Sequence, residues 1–282
     1  MPLVSVLLAV HDDAPFLGEA VDSALRQTLR DLELIVVDDA STDQTPALLD
    51  AIPDERLRVV RNEKQSGLAA SLNHALDLAA GQFVARLDAD DIALPERLER
   101  QVERLRAGPR CAVVGTAIVD LDEDGRAGAT HVLPANATAL RWHALFSSPF
   151  FHPTVLVDRE VLDAHGLRYD TEFLESEDYE LWTRLFAFGD GANLVTPLVF
   201  KRVHPGQASL RRGDLQESFQ RKVALREIAG VAPEVDAEAA WRVGARKGGG
   251  SRRAFVALLR AFERRYGGDW GVRQAALKAL AR

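Results

Sequence analysis

Residues 85–98 read ARLDADDIALPERL, an apolar stretch from Gln82 that runs into Asp88, Asp90 and Asp91 before a helix expected to open at Pro95. A D-x-D pair at the end of a buried strand suits a hard divalent cation carrying a diphosphate. One or two carboxylates and the phosphate oxygens together fill such a shell. Other readings of the same residues exist. Asp91 alone is best read as preparing the N-terminus of the following helix, where an acidic side chain meets the helix dipole. A calcium loop of the EF-hand kind fails because Ile92 and Ala93 stand where oxygen ligands and glycine are needed. An aspartyl phosphatase needs its Asp-x-Asp after the first strand, and this one follows the fourth.

The elements that place these carboxylates are legible as alternating strands and helices. Val4 to Val10 is a continuous apolar run, as a strand buried on both faces requires, and Pro15 to Gln27 follows with helical spacing at Phe16, Leu17, Ala20, Val21, Ala24 and Leu25. The unit recurs as LELIVVDD with a helix from about Thr45, as LRVVRN with GLAASLNHALDLAA, and as QFVARLD with PERLERQVERLRA. Four such units predict an α/β fold, an αβα sandwich around a mostly parallel sheet. Ligands gather beyond the carboxyl ends of such strands, and those ends are polar: His11 to Asp13, Asp38 to Asp43, Arg61 to Glu63, and Asp88 to Asp91. Further on, a helix is expected near Ala137 to Phe146. Another is expected in FLESEDYELWTRLFAFG, with Glu177 and Asp178 in its first turn. From about Gln216 the chain reads as helical, interrupted by the joint RKGGGSRR.

Composition bounds the function. With 282 residues and 47% hydrophobic content the chain can bury a sizeable core. Cys111 is the only cysteine, within CAVVGTAIV, and reads as a buried strand thiol, so disulfide and cysteine chemistry are set aside. No apolar run approaches a membrane span, and MPLVSVLLAV lacks a basic leader, so a cytoplasmic protein is expected. The net charge of −7 hides an asymmetry. From Arg211 onward there are 16 Lys and Arg against 8 Asp and Glu, while the first 210 residues carry 19 against 34. The acidic body argues against nucleic acid as a partner. The basic tail, with RRAFVALLRAFERRY, reads first as a helix packing its Phe and Leu stripe on the body, and second as peripheral contact with an anionic membrane.

Four stretches together resemble the family 2 inverting glycosyltransferases, which use a nucleotide-sugar donor: VSVLLAVHDDAPFLGEAVDSALRQT, LELIVVDDASTDQT, GLAASLNHALDLAAGQFVARLDADDIALPERL and ESEDYELWTRL. The resemblance covers about residues 3 to 210. It implies the nucleotide-sugar-binding (GT-A) fold, with a donor domain over 1–210 and a helical basic extension over 211–282. It further implies that Asp39 accepts a hydrogen bond from the base, usually uracil, with Ala9, Val10 and His11 lining that slot. Asp88 falls near the ribose and Asp90 on the metal, Mn or Mg. Of Glu177 and Asp178, the Asp is the general base for the acceptor hydroxyl, a saccharide or lipid-linked sugar. His204 stands where relatives have a histidine touching metal or diphosphate, and Lys201, Arg202, Arg211 and Arg212 are near enough in sequence to meet phosphate. His152 matches a position on the acceptor side.

The departures are specific. The first strand ends in His11 and Asp12 where relatives carry Tyr-Asn, and Leu72 and Asn73 stand where many have an Arg-Asn pair for the diphosphate. The Q-x-x-R-W string of processive synthases is missing, which argues for transfer of a single sugar. The alternatives are a non-catalytic sugar-nucleotide-binding protein, and a sugar-1-phosphate nucleotidyltransferase. The second would need a Gly-rich, Arg-containing loop after the first strand, where AVHDDAPFL stands.

Overall fold

The computed structural model describes residues 1–108, 110–204 and 213–281. Its first half is the expected run of parallel units. Strands β1 (Val4–Val10), β2 (Leu32–Asp38), β3 (Leu57–Arg61) and β4 (Phe83–Arg86) pair in parallel in the spatial order β3-β2-β1-β4. Alternate residues of β1 enter different cores. Val4, Val6, Leu8 and Val10 pack beneath α1 (Ala14–Leu25) and α2 (Thr45–Asp50), whereas Leu7 faces α3 (Leu68–Leu78). The chain moves outward through β2 and β3, then α3 carries it back across to β4 on the other side of β1. The order therefore reverses between β1 and β4, and a crevice opens at their carboxyl ends.

The second half mixes directions. It contains β5 (Ile92–Ala93), α4 (Arg97–Arg106), β6 (Cys111–Leu121), β7 (Ala127–His131), α5 (Ala137–His143) and a 3₁₀ turn at His152–Thr154. It continues with β8 (Leu156–Asp158), α6 (Arg159–Ala164), α7 (Glu177–Leu185) and β9 (Asp190–Arg202). The short β8 inserts antiparallel between β4 and β6, β9 runs parallel to β6, and β5 pairs antiparallel with β9. Helix α7 buries Tyr179, Trp182 and Leu185 in the core of the α3 face, which fixes its acidic first turn over the crevice. Cys111 opens β6 half-buried, and burial pushes its thiol up, so it is a poor nucleophile.

Four helices follow: α8 (Gly213–Val231), α9 (Ala237–Gly244), α10 (Arg252–Tyr266) and α11 (Trp270–Leu280). The last three are each capped by a side-chain oxygen, from Asp236, Ser251 and Asp269, accepting a backbone N–H. Gly248 and Gly249 take positive φ of 70° and 64°, the backbone reversal that the RKGGGSRR joint supplies before α10. Phe255, Leu258 and Phe262 point inward, sharing a core with Trp142, Ile228 and Trp241, while Arg252, Arg253, Arg260 and Arg264 stay exposed. The apolar stripe of the basic tail is thus buried against α5, α8 and α9. No described helix is long and apolar enough to cross a membrane.

Candidate active site

The β1 and β2 ends are tied to each other. Asp12, held at φ 52°, accepts the backbone N–H of Thr42 at 2.7 Å and of Asp43 at 3.2 Å. Asp43 returns a bond by accepting from Ala14 N at 3.1 Å. His11 Nδ1 lies 2.9 Å from the Asp39 carbonyl. Asp39 itself is 4% exposed and accepts three bonds, from Asn62 Nδ2 at 2.7 Å, Ser66 N at 2.9 Å and Gly67 N at 2.8 Å. Burial would raise its carboxyl, but these donors outweigh it and hold the group below the ordinary range, as an ionised acceptor.

The acidic loop after β4 is closed by β9. Pairing of Ile92 with Phe200 and Ala93 with Val199 carries the end of β9 over the loop, so that His204 Nε2 comes to 3.1 Å from Asp90 Oδ2. Asp91 does not prepare α4. That helix starts at Arg97, and Asp91 is fully buried, its Oδ1 accepting Arg202 N at 2.9 Å. A backbone donor on a distant strand has taken the side chain that the helix was expected to use. Arg202 is likewise structural and does not reach for phosphate. Its guanidinium meets Glu19 at 2.5 Å, donates to the Asp90 carbonyl at 3.0 Å, and lies over the Phe16 ring. Lys201 does line the cleft, whereas Arg211 and Arg212 lie outside the described residues.

Oxygens of Asp88, Asp90 and Asp91 lie within 4.8 Å of one another, and Asp91 Oδ2 is buried without a hydrogen-bond partner. A triad of hard oxygen donors with one orphaned lone-pair set fits a divalent cation. The crowded charges raise one another's carboxyls. Burial first, then Asp88, raises Asp90, and the same causes raise Asp91 well above the usual range. Asp13 also joins this group: burial and then Asp90 push it up to about 6.

Glu177 and Asp178 open α7 after Ser176, which turns the chain at φ 62°. Ser148 Oγ donates to Asp178 Oδ2 at 3.1 Å. Burial and then Asp178 push Glu177 up to about 8, while burial raises Asp178 against the opposing bonds from Tyr179 N and Ser148. Both carboxyls of this like-charged pair are thereby raised, Glu177 to about 8. His152 is held neutral by burial and shares a 3.0 Å hydrogen bond with the Tyr169 hydroxyl.

A cleft of about 720 Å³ is lined by Ala9, Val10, His11, Asp88, Asp90, Glu177, Asp178 and His204, with His152 beside them. Side chains from four separate regions of sequence therefore face one space. Asp39 sits just behind it, not on its wall. Arg86, Asp13 and Ser148 were not singled out from sequence. Arg86 is 4% exposed, pairs with Asp88, and keeps Nε and Nη1 without partners. Its signal was there to read: a guanidinium inside the otherwise apolar FVARL needs a carboxylate nearby.

Comparison with known proteins agrees with this architecture. The family model described as glycosyl transferase family 2 matches residues 5–166, more than half of the chain. The putative glycosyltransferase EpsE of Bacillus subtilis is 35% identical over 192 residues, covering 67% of this chain and 68% of EpsE. WfaP of Escherichia coli, named a UDP-Glc:alpha-D-GlcNAc-diphosphoundecaprenol beta-1,3-glucosyltransferase, is 27% identical over 240 residues, 81% of this chain and 87% of WfaP. Among solved structures, S. aureus TarS 1-349 with UDP superposes at a TM-score of 0.61 with 18% identity, covering 100% of this chain and 92% of that one. The mannosyltransferase PcManGT from Pyrobaculum calidifontis, with GDP-Man and Mn2+, gives 0.60 with 21% identity over 99% and 80%. With a family model matched over most of the β1 to α6 region and the same sheet in the solved structures, the chain belongs to the family 2 glycosyltransferases and has their GT-A fold.

Proposed function

We propose that this protein is an inverting, metal-dependent transferase that moves one sugar from a nucleotide-diphosphate sugar, UDP-linked, to an acceptor hydroxyl in surface polysaccharide or glycoconjugate synthesis. The observation that carries this reading is the shared cleft of the Asp88–Asp91 loop, His204 and the Glu177–Asp178 pair. Asp178 is the base. Its neighbour Glu177, pushed up to about 8 by burial and by Asp178, is the poorer base at pH 7, and Ser148 donates to the Asp178 carboxyl and orients it. Asp178 takes the proton of the acceptor hydroxyl as its oxygen attacks the anomeric carbon from the face opposite the diphosphate. The carbon–oxygen bond to the diphosphate breaks, the configuration inverts, and the nucleoside diphosphate leaves. Asp90 and His204, with Asp88 and Asp91, would hold Mn or Mg, which when bound neutralises charge on the departing diphosphate. Asp39, fixed by its three donors, is assigned to the base, with Ala9 to His11 flanking the ring and Asp88 near the ribose.

The division into a donor domain over 1–210 and an extension over 211–282 stays a proposal, its boundary falling at residues outside the described set. Peripheral contact with an anionic membrane through the outward arginines of α10 belongs with it. Flotation with anionic liposomes tests that contact, and a protein that stays at the bottom of the gradient removes it. The reaction itself is tested with purified protein, Mn and a panel of UDP-sugars. Asp178→Asn should cut transfer by about 10² to 10⁴-fold while UDP binding persists. Transfer at the wild-type rate would overturn the assignment of the base.

A further inference from the structure

A second cavity, of about 840 Å³, lies between α5 and the helices α8, α9 and α11. Its walls are largely apolar, with Trp142, Phe146, Trp241 and Phe255 contributing aromatic surface. His143, also on the wall, is held neutral by burial, which pulls its imidazole down to about 4. The buried indole N–H of Trp241 has no hydrogen-bond partner. Arg246, Lys247 and Lys278, all exposed, also line the cavity. Lys247 is paired with Glu217 at 2.6 Å, whereas Arg246 and Lys278 have no carboxylate partner among the described residues.

The cavity lies next to the cleft on the Glu177–Asp178 side. Gln216 lines both spaces, and its carbonyl accepts from Ser176, the residue before the Glu177–Asp178 pair. Ser147 lines the cavity while its neighbour Ser148 donates to Asp178. The two spaces differ in chemistry: the cleft is crowded with carboxylates, and the cavity is apolar with unpaired cations at its edge. Aromatic walls suit a hydrocarbon chain better than a nucleoside diphosphate, which would meet here a single carboxylate, Glu217, already paired with Lys247.

We propose that this cavity is an anchoring subsite for the acceptor's carrier, taking the apolar chain of a lipid-phosphate-linked sugar with its phosphate against Arg246 and Lys278 and its sugar toward Asp178. The assignment rests on the glycosyl-transfer reading above, which makes the Asp178 side of the cleft the acceptor side. It gives the tail a role that its buried apolar stripe leaves open: α9, α10 and α11 build a wall for the acceptor.

Farnesyl diphosphate serves as the probe, with Trp142 and Trp241 reporting by intrinsic fluorescence on the full chain in metal-free buffer. Saturable quenching is expected with farnesyl diphosphate, none with inorganic diphosphate, and no competition by UDP with Mn added. Ala275→Phe, which puts a ring into the cavity from an exposed helix position, and Lys278→Glu should each weaken the probe by about tenfold, with calorimetric UDP binding unchanged. Absence of saturable quenching, displacement by UDP, or wild-type affinity in both variants would overturn the subsite. If UDP with Mn binds normally while the probe does not, the subsite alone fails. If UDP with Mn does not bind wild-type protein, the donor reading fails, and the subsite's role as an acceptor site falls with it.

Discussion

Glu177 offers a test that needs no substrate. It is 7% exposed, and burial together with Asp178 pushes its carboxyl from 4.5 up to about 8. The folded protein therefore keeps a proton that the unfolded chain releases near 4.5. The sign follows: this group's contribution is fully present below 4.5 and is lost as pH rises through 8. His143 and His152, depressed by burial, work in the opposite direction, because the unfolded chain takes up protons around their ordinary value of 6.5. Both histidines are common to the wild type and a Glu177 variant, so the difference between the two proteins between pH 6.5 and 8 isolates Glu177. A group protonated over most of that window costs about 1 to 2 kcal/mol of unfolding free energy across it. Glu177→Gln keeps the size and the neutral form and removes the proton. Urea unfolding in EDTA at both ends of the window should show the wild type losing about 1 to 2 kcal/mol more than the variant. Parallel behaviour would mean that Glu177 is ionised in the folded protein, and the argument that prefers Asp178 to Glu177 as the base would collapse.

Three further substitutions separate binding from folding. In a thermal-shift screen of nucleoside diphosphates with and without Mn, Asp90→Asn should abolish the extra stabilisation that Mn gives UDP. Asp39→Asn should instead lower UDP affinity about tenfold with the Mn increment intact; an unchanged screen in either variant refutes that residue's role. Arg86→Met leaves Asp88 and its carboxylate neighbours without their buried counter-charge and should cost about 3–5 kcal/mol, read as a fall in the urea midpoint. A midpoint unchanged at neutral pH would show that Arg86 does not compensate the acidic loop.

The parallel half was legible because its information is local. A strand buried on both faces is largely apolar and its helix repeats apolar residues every three to four positions; β1 and most of β2 show the first and α1, α3 and α4 the second, while β3 at the sheet edge exposes Arg58 and Arg61. The second half hides its order because its pairings are long-range. Three residues, Leu156 to Asp158, make the antiparallel insertion between β4 and β6, and β9 carries Pro197 and Asn193 within a thirteen-residue strand. The site divides the same way. The carboxylates that close strands were visible, since a polar residue ending an apolar run has no structural reason to be acidic three times over. What sequence misassigned was decided by backbone groups far along the chain: Arg202 N claims Asp91, and the Asp90 carbonyl claims the Arg202 guanidinium. Side-chain type alone cannot announce a partner that is a peptide group. Arg86 shows the converse. It sits one pleat below Asp88 on β4, fully enclosed, and its electrostatic influence reaches Asp90, Asp91, Glu177 and Asp178. Leu72 in the third helix packs in the core, and the buried positive charge beneath the cleft comes from Arg86, on the strand that also delivers the acids. One short stretch, from Arg86 to Asp91, thus supplies both the carboxylates and the cation that keeps them tolerable before any metal or diphosphate arrives.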